Sequence, residues 1–153
     1  MGEEQRTGIG KALKAGLADR LAKQVGALCY RKTGRGGKEV LLVTSRNTGR
    51  WIIPKGWCMA GKPDHAAAEQ EAWEEAGVRT GRIRSRPIGV YDYHKTLEDG
   101  ETRPCRVSVY PLEVEKTRKD FPEAEERTRR WVSPDRAAKL VQEPKLKRIL
   151  RDF

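Results

Sequence analysis

The apolar positions of the chain fall into short runs separated by glycine, proline and charged residues. Runs that are rich in β-branched and aromatic side chains predict strands. A glycine-rich link at residues 33–37 joins the first two runs and favours a hairpin. The predicted strands are residues 24–32, 39–46, 51–53, 83–93, 105–114 and 131–132.

Three segments have the boundaries of helices. The first begins near Asp64, a candidate N-cap, and ends at Gly77, a residue type that favours the left-handed conformation after a helix. The second begins at Ser133, with Pro134 in its first turn, and runs to about residue 142. The third begins at Pro144 and reaches the end of the sequence.

Strands before and after the first helix, with helices at the end, favour an α/β fold in which a mixed sheet carries helices on both faces. A sequence of 153 residues has the size of one domain, so we expect a single domain over residues 23–153. Residues 1–22 show a weak helical pattern of apolar residues interspersed with basic ones. We expect them to form a basic N-terminal extension, either helical or partly ordered.

Charge narrows the choice of partners. The sequence has 32 lysine and arginine residues against 22 aspartate and glutamate residues, a formal net charge of +10. This excess favours anionic partners: phosphorylated small molecules, nucleic acid or a membrane surface. Charge alone does not choose among them.

The expected compartment follows from what the sequence lacks. No apolar run approaches the roughly 20 residues that cross a bilayer, and the N-terminus has no signal-peptide core. The three cysteines, Cys29, Cys58 and Cys105, are odd in number and widely spaced, which favours free thiols in a reducing compartment. We therefore expect a cytoplasmic protein without membrane association.

Glu71, Glu74 and Glu75 lie near the end of the first predicted helix. At spacings of three and four residues their side chains share one helical face, with Cβ atoms roughly 5–6 Å apart. Magnesium prefers oxygen ligands and is commonly held by a few carboxylates together with substrate phosphates. Because a glycine-containing loop with Lys55 and Lys62 precedes these acids, we interpret them as a divalent-metal site. The alternative is a solvated acidic face.

The segment from Gly56 to Val78 resembles the signature of the Nudix hydrolases, G-x5-E-x7-R-E-U-x-E-E-x-G-U with U aliphatic. Two positions depart from it: Lys62 replaces the first glutamate and Gln70 replaces the arginine. In the family these two positions pair to brace the loop against the helix, so we interpret the departures as a change of bracing and not of chemistry. The matching positions are Gly56, Glu71, Ala72, Glu74, Glu75, Gly77 and Val78.

The resemblance extends over about residues 24–142. Residues 39–56 and 127–132 are similar to the branch that hydrolyses diphosphoinositol polyphosphates and diadenosine polyphosphates. It implies a Nudix-type α/β/α sandwich and hydrolysis of a phosphoanhydride in a nucleoside- or inositol-linked polyphosphate. The cofactor implied is Mg²⁺, with Mn²⁺ as the other choice.

Roles within the motif follow from the same resemblance. Glu71 and Glu75 are expected as metal ligands, and Glu74 as a ligand or as the base that activates water; Glu71 and Glu74 could exchange these roles. Family members often use one further acid from outside the motif as a metal ligand, although a surface charge is the alternative for each candidate in this sequence. The candidates for it are Glu113, Glu123 and Glu126.

Basic residues on the flanking strands and loops are the candidates for substrate binding. We expect Arg50 and Lys55 to contact phosphate first, since arginine can bind phosphate oxygens in bidentate fashion. Trp57 has three alternative roles: it could stack on a base, shield the site or pack on its own domain. The other candidates, each with a solvated surface charge as the alternative, are Arg31, Lys32, Arg46, His94, Lys95 and one of Arg127, Arg129 and Arg130.

The expected partner is an anionic phosphorylated small molecule, bound by a monomer or a homodimer. Removal of pyrophosphate from RNA 5′ ends is an alternative, because phosphate contacts dominate nucleic-acid affinity, although the sequence has no recognisable RNA-binding motif. A non-catalytic Nudix-fold module that binds polyphosphate is another alternative, motivated by Lys62 and Gln70.

Overall fold

The computed structural model describes residues 21–153. The predicted basic extension falls almost wholly outside the described residues and stays a prediction. The strands of the described part are β1 (Ala22–Lys32), β2 (Lys38–Thr44), β3 (Trp51–Ile52), β4 (Lys55–Trp57), β5 (Val78–Ile83), β6 (Gly89–Thr96), β7 (Thr102–Thr117) and β8 (Arg129–Val132). Its α-helices are α1 (Asp64–Ala76), α2 (Pro134–Leu140) and α3 (Pro144–Asp152).

The strands form one mixed sheet of eight strands, with the central order β3-β2-β1-β7-β5. β1 and β7 run parallel, and the other pairs are antiparallel. Both long central strands serve several partners: β1 also pairs with β2 and β4, and β7 with β5 and β6. The short strand β4 is thereby fixed beside β1 at the start of the motif.

Side chains on opposite faces of the sheet enter two separate cores. Val25, Ala27 and Cys29 of β1 pack in the cluster that contains the alanines of α1. Leu28 and Tyr30, which alternate with them, pack in the cluster that contains Leu146 and Leu150 of α3 and the alanines of α2. Helices therefore cover both faces, which confirms the predicted α/β/α sandwich.

Two strands differ from the sequence prediction. Residues 55–57, predicted as loop, form β4, and residues 78–83 form β5, whereas the prediction placed one strand over residues 83–93. β5 has a mostly exposed surface and only Val78 is fully buried, so its hydrophobic pattern is weak. Pro87 lies between β5 and β6, and Gly89 is the first residue of β6.

The predicted helix boundaries are mostly confirmed by their caps. Gly77 has φ 71° and its N–H donates to carbonyl groups of the last turn of α1. The Ser133 hydroxyl accepts a hydrogen bond from the Arg136 N–H at 3.1 Å, as an N-cap residue does. The predicted N-cap Asp64 is wrong: Pro63 holds that position and Asp64 is the first helical residue.

The three cysteines are free, with Cys29 and Cys105 buried and Cys58 exposed. Among residues 21–153, no helix has both the length and the apolar character to cross a membrane.

Leu150→Ala tests whether the C-terminal helices belong to the same cooperative unit as the sheet. Leu150 is fully buried in the core shared by α3 and the sheet. We expect the free energy of unfolding to fall by about 2–5 kcal/mol, because the substitution leaves a cavity. Urea denaturation measures this change.

Arg148→Ala, on the exposed face of α3, is the matched control and should change stability by no more than about 0.5 kcal/mol. An early, separate unfolding transition in Leu150→Ala would show instead that these helices are not part of the domain core.

Candidate active site

Glu71 and Glu75 lie on the buried face of α1. The same face carries Ala67, Ala68, Ala72 and Ala76, whose small side chains let the helix approach the sheet closely. Glu71 is only 8% exposed and Glu75 only 7% exposed. The solvated acidic face considered as an alternative is therefore wrong for these two residues.

Gly56 of β4 fits against the Glu71 carboxyl group. A Cβ atom at this position would collide with the Cδ and both oxygens of Glu71. The backbone N–H of the preceding residue, Lys55, donates to Glu75 Oε1 at 3.3 Å. The glycine of the motif thus lets β4 hold both acids at their carboxyl ends.

Burial and neighbouring negative charge raise the pKa of both acids. Burial, followed by the charges of Glu75 and Glu74, raises the pKa of Glu71 to about 8. Burial also raises the pKa of Glu75, against the opposing charges of Arg127 and Lys55. A cation between these carboxylates would favour their ionised forms, so the donor set fits a divalent metal.

Arg127 connects Glu75 to Glu123. Its Nη2 lies 3.5 Å from Glu75 Oε2 and 2.7 Å from Glu123 Oε1, and its Nη1 donates to the Thr44 carbonyl group at 2.9 Å. The side chain of Arg127 is only 5% exposed. Arg127 therefore positions two acids, and it also lines the cavity in front of Glu71 and Glu75, so its predicted contact with phosphate stays a prediction.

The three candidates for a further acid separate clearly. Glu123 lines the same cavity as Glu71 and Glu75. Glu126 pairs with Arg46 at 3.0 Å, and Glu113 lies 3.8 Å from Lys32 on another part of the sheet. Of the three, Glu123 is therefore the one near the motif acids.

Glu74 does not line the cavity with Glu71 and Glu75, but belongs to a hydrogen-bonded chain between α1 and the loop before it. Gln70 Nε2 donates to Glu74 Oε2 at 2.8 Å, and Lys62 Nζ donates to Gln70 Oε1. The Glu74 carbonyl group accepts a hydrogen bond from the Glu123 N–H at 3.0 Å. The two departures from the motif thus contact each other, and they tie the loop to α1.

A cavity of about 300 Å³ opens in front of Glu71 and Glu75, and we call it the Glu71–Glu75 cavity. Six predicted substrate residues line it: Arg46, Arg50, Lys55, His94, Lys95 and Arg127. Its lining also includes Trp57 and Tyr93.

Arg31 and Arg130 are not part of this lining. Arg31 stacks on Trp131 at 4.1 Å from the ring centroid and pairs with Glu39 at 2.8 Å. Arg130 is exposed on β8. Their predicted roles in substrate binding stay predictions.

Lys55 is held over an aromatic ring at the cavity wall. Its Nζ lies 4.8 Å from the centroid of the Tyr93 ring. Burial lowers the pKa of Lys55 to about 8, although Glu75 and Glu143 attract its charge. A partly buried ammonium group of this kind gains from the arrival of an anion.

Glu143 is the site residue that sequence reasoning missed. It lies just before α3, is only 7% exposed, and accepts a hydrogen bond from Arg50 Nη1 at 3.0 Å. Gln142 Oε1 accepts from the same nitrogen at 3.2 Å. Nothing in the sequence around Glu143 distinguishes it from a surface acid, so only the fold shows that it positions Arg50.

The acids near the cavity are too few to hold a metal ion without further ligands. Within residues 21–153, no group of three or more histidine, cysteine, aspartate or glutamate side chains is close enough to hold a metal ion by itself. Glu71 and Glu75 supply two carboxylates, and Glu123 is held nearby by Arg127. Magnesium usually keeps several waters and uses substrate phosphates as ligands, so two or three carboxylates are sufficient.

Solved structures with the same fold include the crystal structure of C. elegans Ap4A hydrolase. It matches with a TM-score of 0.64 and 22% sequence identity, covering 87% of this chain and 96% of that chain. The E. coli dihydroneopterin triphosphate pyrophosphohydrolase has a TM-score of 0.64 and 16% identity, covering 86% of this chain and 93% of that one. At these identities the likeness concerns the fold alone.

Curated relatives share more of the sequence. Nudix hydrolase 12, mitochondrial, from Arabidopsis thaliana is 35% identical over 118 residues, which cover 75% of this chain and 58% of that protein. Diphosphoinositol polyphosphate phosphohydrolase 3-beta from Homo sapiens is 34% identical over 123 residues, which cover 78% of this chain and 69% of that protein. The matched residues span 58% to 63% of the length of four relatives from Arabidopsis thaliana, Nudix hydrolases 12, 13, 16 and 21.

A family model described as NUDIX domain matches residues 21–153, which is nearly all of the described chain. This match agrees with the motif, the sandwich fold and the curated relatives. The chain therefore belongs to the Nudix family.

Proposed function

We propose that this protein is a metal-dependent hydrolase of phosphoanhydrides in a nucleoside- or inositol-linked polyphosphate. The observation that carries the proposal is the pair of buried carboxylates, Glu71 and Glu75, at the wall of a cavity lined by basic side chains. The carboxylates attract a divalent cation, and the basic side chains attract a polyphosphate. The relatives named as diphosphoinositol polyphosphate phosphohydrolases support this substrate class.

Glu71 and Glu75 would hold the Mg²⁺ or Mn²⁺, with Glu123 as the further acid. Bound there, the ion would orient phosphate oxygens, offset their negative charge and lower the pKa of a water molecule. Arg127 keeps Glu75 and Glu123 in position through its ion pairs with both. In the reaction, a water oxygen bonds to one phosphorus and its proton passes to the base, for which Glu74 is the candidate, while the bridging P–O bond breaks and the departing phosphate keeps the electron pair.

Arg50 and Lys55 bind the phosphate chain in this proposal. Arg50 uses Nη1 for Gln142 and Glu143, which leaves its Nε and Nη2 for phosphate oxygens. Lys55 contributes a partly desolvated charge. Glu74 stays a proposed metal ligand or the base that activates water, and the Gln70 side chain sets its orientation. The cytoplasmic location and a monomeric or homodimeric state stay predictions.

Purified protein incubated with Mg²⁺ should hydrolyse at least one member of a panel of polyphosphates. The panel comprises diadenosine polyphosphates, diphosphoinositol polyphosphates and 5′-triphosphorylated RNA. Glu75→Gln should lower kcat/KM by more than about 100-fold, since even residues that only support metal ligands cost 10- to 100-fold. Anion-exchange chromatography of the products measures both outcomes, because an internal anhydride of a diadenosine polyphosphate splits into two nucleotides without free phosphate.

Each outcome of the panel has a distinct meaning. Hydrolysis of triphosphorylated RNA alone would favour the RNA alternative. Tight binding of one compound without turnover of any would replace the enzyme proposal with a non-catalytic binding module. Full activity of Glu75→Gln would remove Glu75 from the metal site.

Metal binding can be tested without turnover. Mg²⁺ should raise the thermal midpoint of the wild-type protein, because an ion that binds only the folded state stabilises it. Glu71→Gln should abolish most of this rise, and Glu69→Gln, an exposed acid on the same helix, should retain it. Equal Mg²⁺ shifts in all three proteins would show that the ion binds elsewhere.

The contact between Lys62 and Gln70 replaces an ion pair of the motif, and a charge exchange tests it. Gln70→Arg should lower kcat/KM by about 10- to 100-fold, because it places an arginine against Lys62 and releases Glu74. Adding Lys62→Glu should recover most of the loss by restoring an opposite-charge pair. Steady-state kinetics of the single and double variants form a double-mutant cycle.

Stability measurements accompany this cycle, and both single variants should unfold within about 1 kcal/mol of wild type because the contact is at the surface. Additive effects of the two substitutions would contradict direct bracing.

A further inference from the structure

Trp57 differs from the other tryptophans of residues 21–153. Its side chain is 43% exposed, whereas Trp51, Trp73 and Trp131 are half-buried. The other large exposed apolar residues of this part, Ile88 and Val90, do not line the Glu71–Glu75 cavity, but Trp57 does. The structure therefore exposes one large aromatic surface beside the motif acids.

The strand register places this indole next to the phosphate-binding residues. In β4, Lys55 and Trp57 are two residues apart and so project from the same face. Trp57 pairs with Gln24 of β1, and Gln24 Oε1 accepts a hydrogen bond from the Tyr93 hydroxyl at 2.5 Å. Lys55 in turn lies over the Tyr93 ring. These four side chains form a continuous wall of the cavity.

Basic residues lie at the outer end of this wall. The Arg103 guanidinium carbon is 5.9 Å from the centroid of the Trp57 ring. Lys95 pairs with Arg103 across β6 and β7, and Lys95 also lines the cavity. An aromatic surface next to positive charges suits a flat base that carries phosphates.

Most cations of the cavity are already paired. Arg46 binds Glu126, Arg50 binds Glu143, and Arg127 binds Glu123. A phosphorylated inositol carries phosphate groups all around its ring and would need unpaired cations on every side. A nucleotide instead presents an uncharged π-face at one end and phosphates at the other. The charge distribution therefore matches the nucleotide better.

We propose that Trp57 is a base-stacking platform, so that the substrate is a nucleoside polyphosphate. This inference rests on the proposed function and narrows its substrate class. The base lies on the indole, and the phosphate chain passes Lys55 and Gly56 to reach Glu71 and Glu75. Trp57 is then a specificity-determining residue at the rim of the site.

Two probes isolate the contribution of the base. One is α,β-methylene-ADP, whose P–C–P bridge resists hydrolysis, and the other is methylenediphosphonate, which has the phosphorus groups without the nucleoside. Calorimetry in the presence of Mg²⁺ gives the ratio of their affinities. Trp57→Ala should lower this ratio about 5- to 150-fold, the range that base–aromatic stacking supports, and Trp57→Phe should keep most of it.

Ile88→Ala is the matched control, because it removes an exposed apolar side chain outside the cavity, and it should leave the ratio unchanged. If Trp57→Ala leaves the affinity ratio unchanged, the platform is refuted. This includes the case in which the affinities for both probes fall equally. Because neither probe is hydrolysed, this result is independent of turnover: a wild-type protein that binds the nucleotide through Trp57 but hydrolyses nothing would refute the proposed function and not the platform.

Discussion

The site depends on keeping two carboxyl groups away from water within about one turn of a helix. Burying a carboxylate is costly unless the surroundings compensate, and two of them together cost more. The alanines of α1 and Gly56 of β4 create this situation by bringing the helix and strand into close contact. The remaining parts of the site supply the compensation: Arg127, the Lys55 N–H and the space for a metal ion.

Much of the fold could be predicted from the sequence, because strands buried on both faces have continuous apolar runs and helix ends carry specific residue types. Gly77 and Ser133 show this well. β4 and β5 were not predicted because they lack such apolar runs. β4 is only three residues long and contains a glycine, and most of β5 is exposed, so pairing with β1 and β7 determines their conformation.

The shared helical face of the motif acids could be predicted from their spacing, since a helix fixes which residues are neighbours, and the resemblance to the motif predicted their role. Their burial could not be predicted, because it depends on how closely α1 approaches the sheet. Glu143 lies 93 residues after Arg50, and no local pattern reports such a contact. Through this ion pair the C-terminal helices, which also complete one core, reach the cavity wall. A substitution in α3 can therefore affect Arg50 without touching the cavity.

The three contacts of Arg127 determine how much of the site has to move when Glu75 changes partner. Its guanidinium group binds Glu123 and the Thr44 carbonyl group as well as Glu75, and the Glu75 contact is the longest of the three. If Glu75 turns towards an incoming cation, Arg127 keeps two partners and need not move. Under the proposed function, a cation could then be bound by rotation of the Glu75 carboxylate while Arg127 keeps its contacts with Glu123 and the Thr44 carbonyl group. A site held in this way would be preorganised for its ligand.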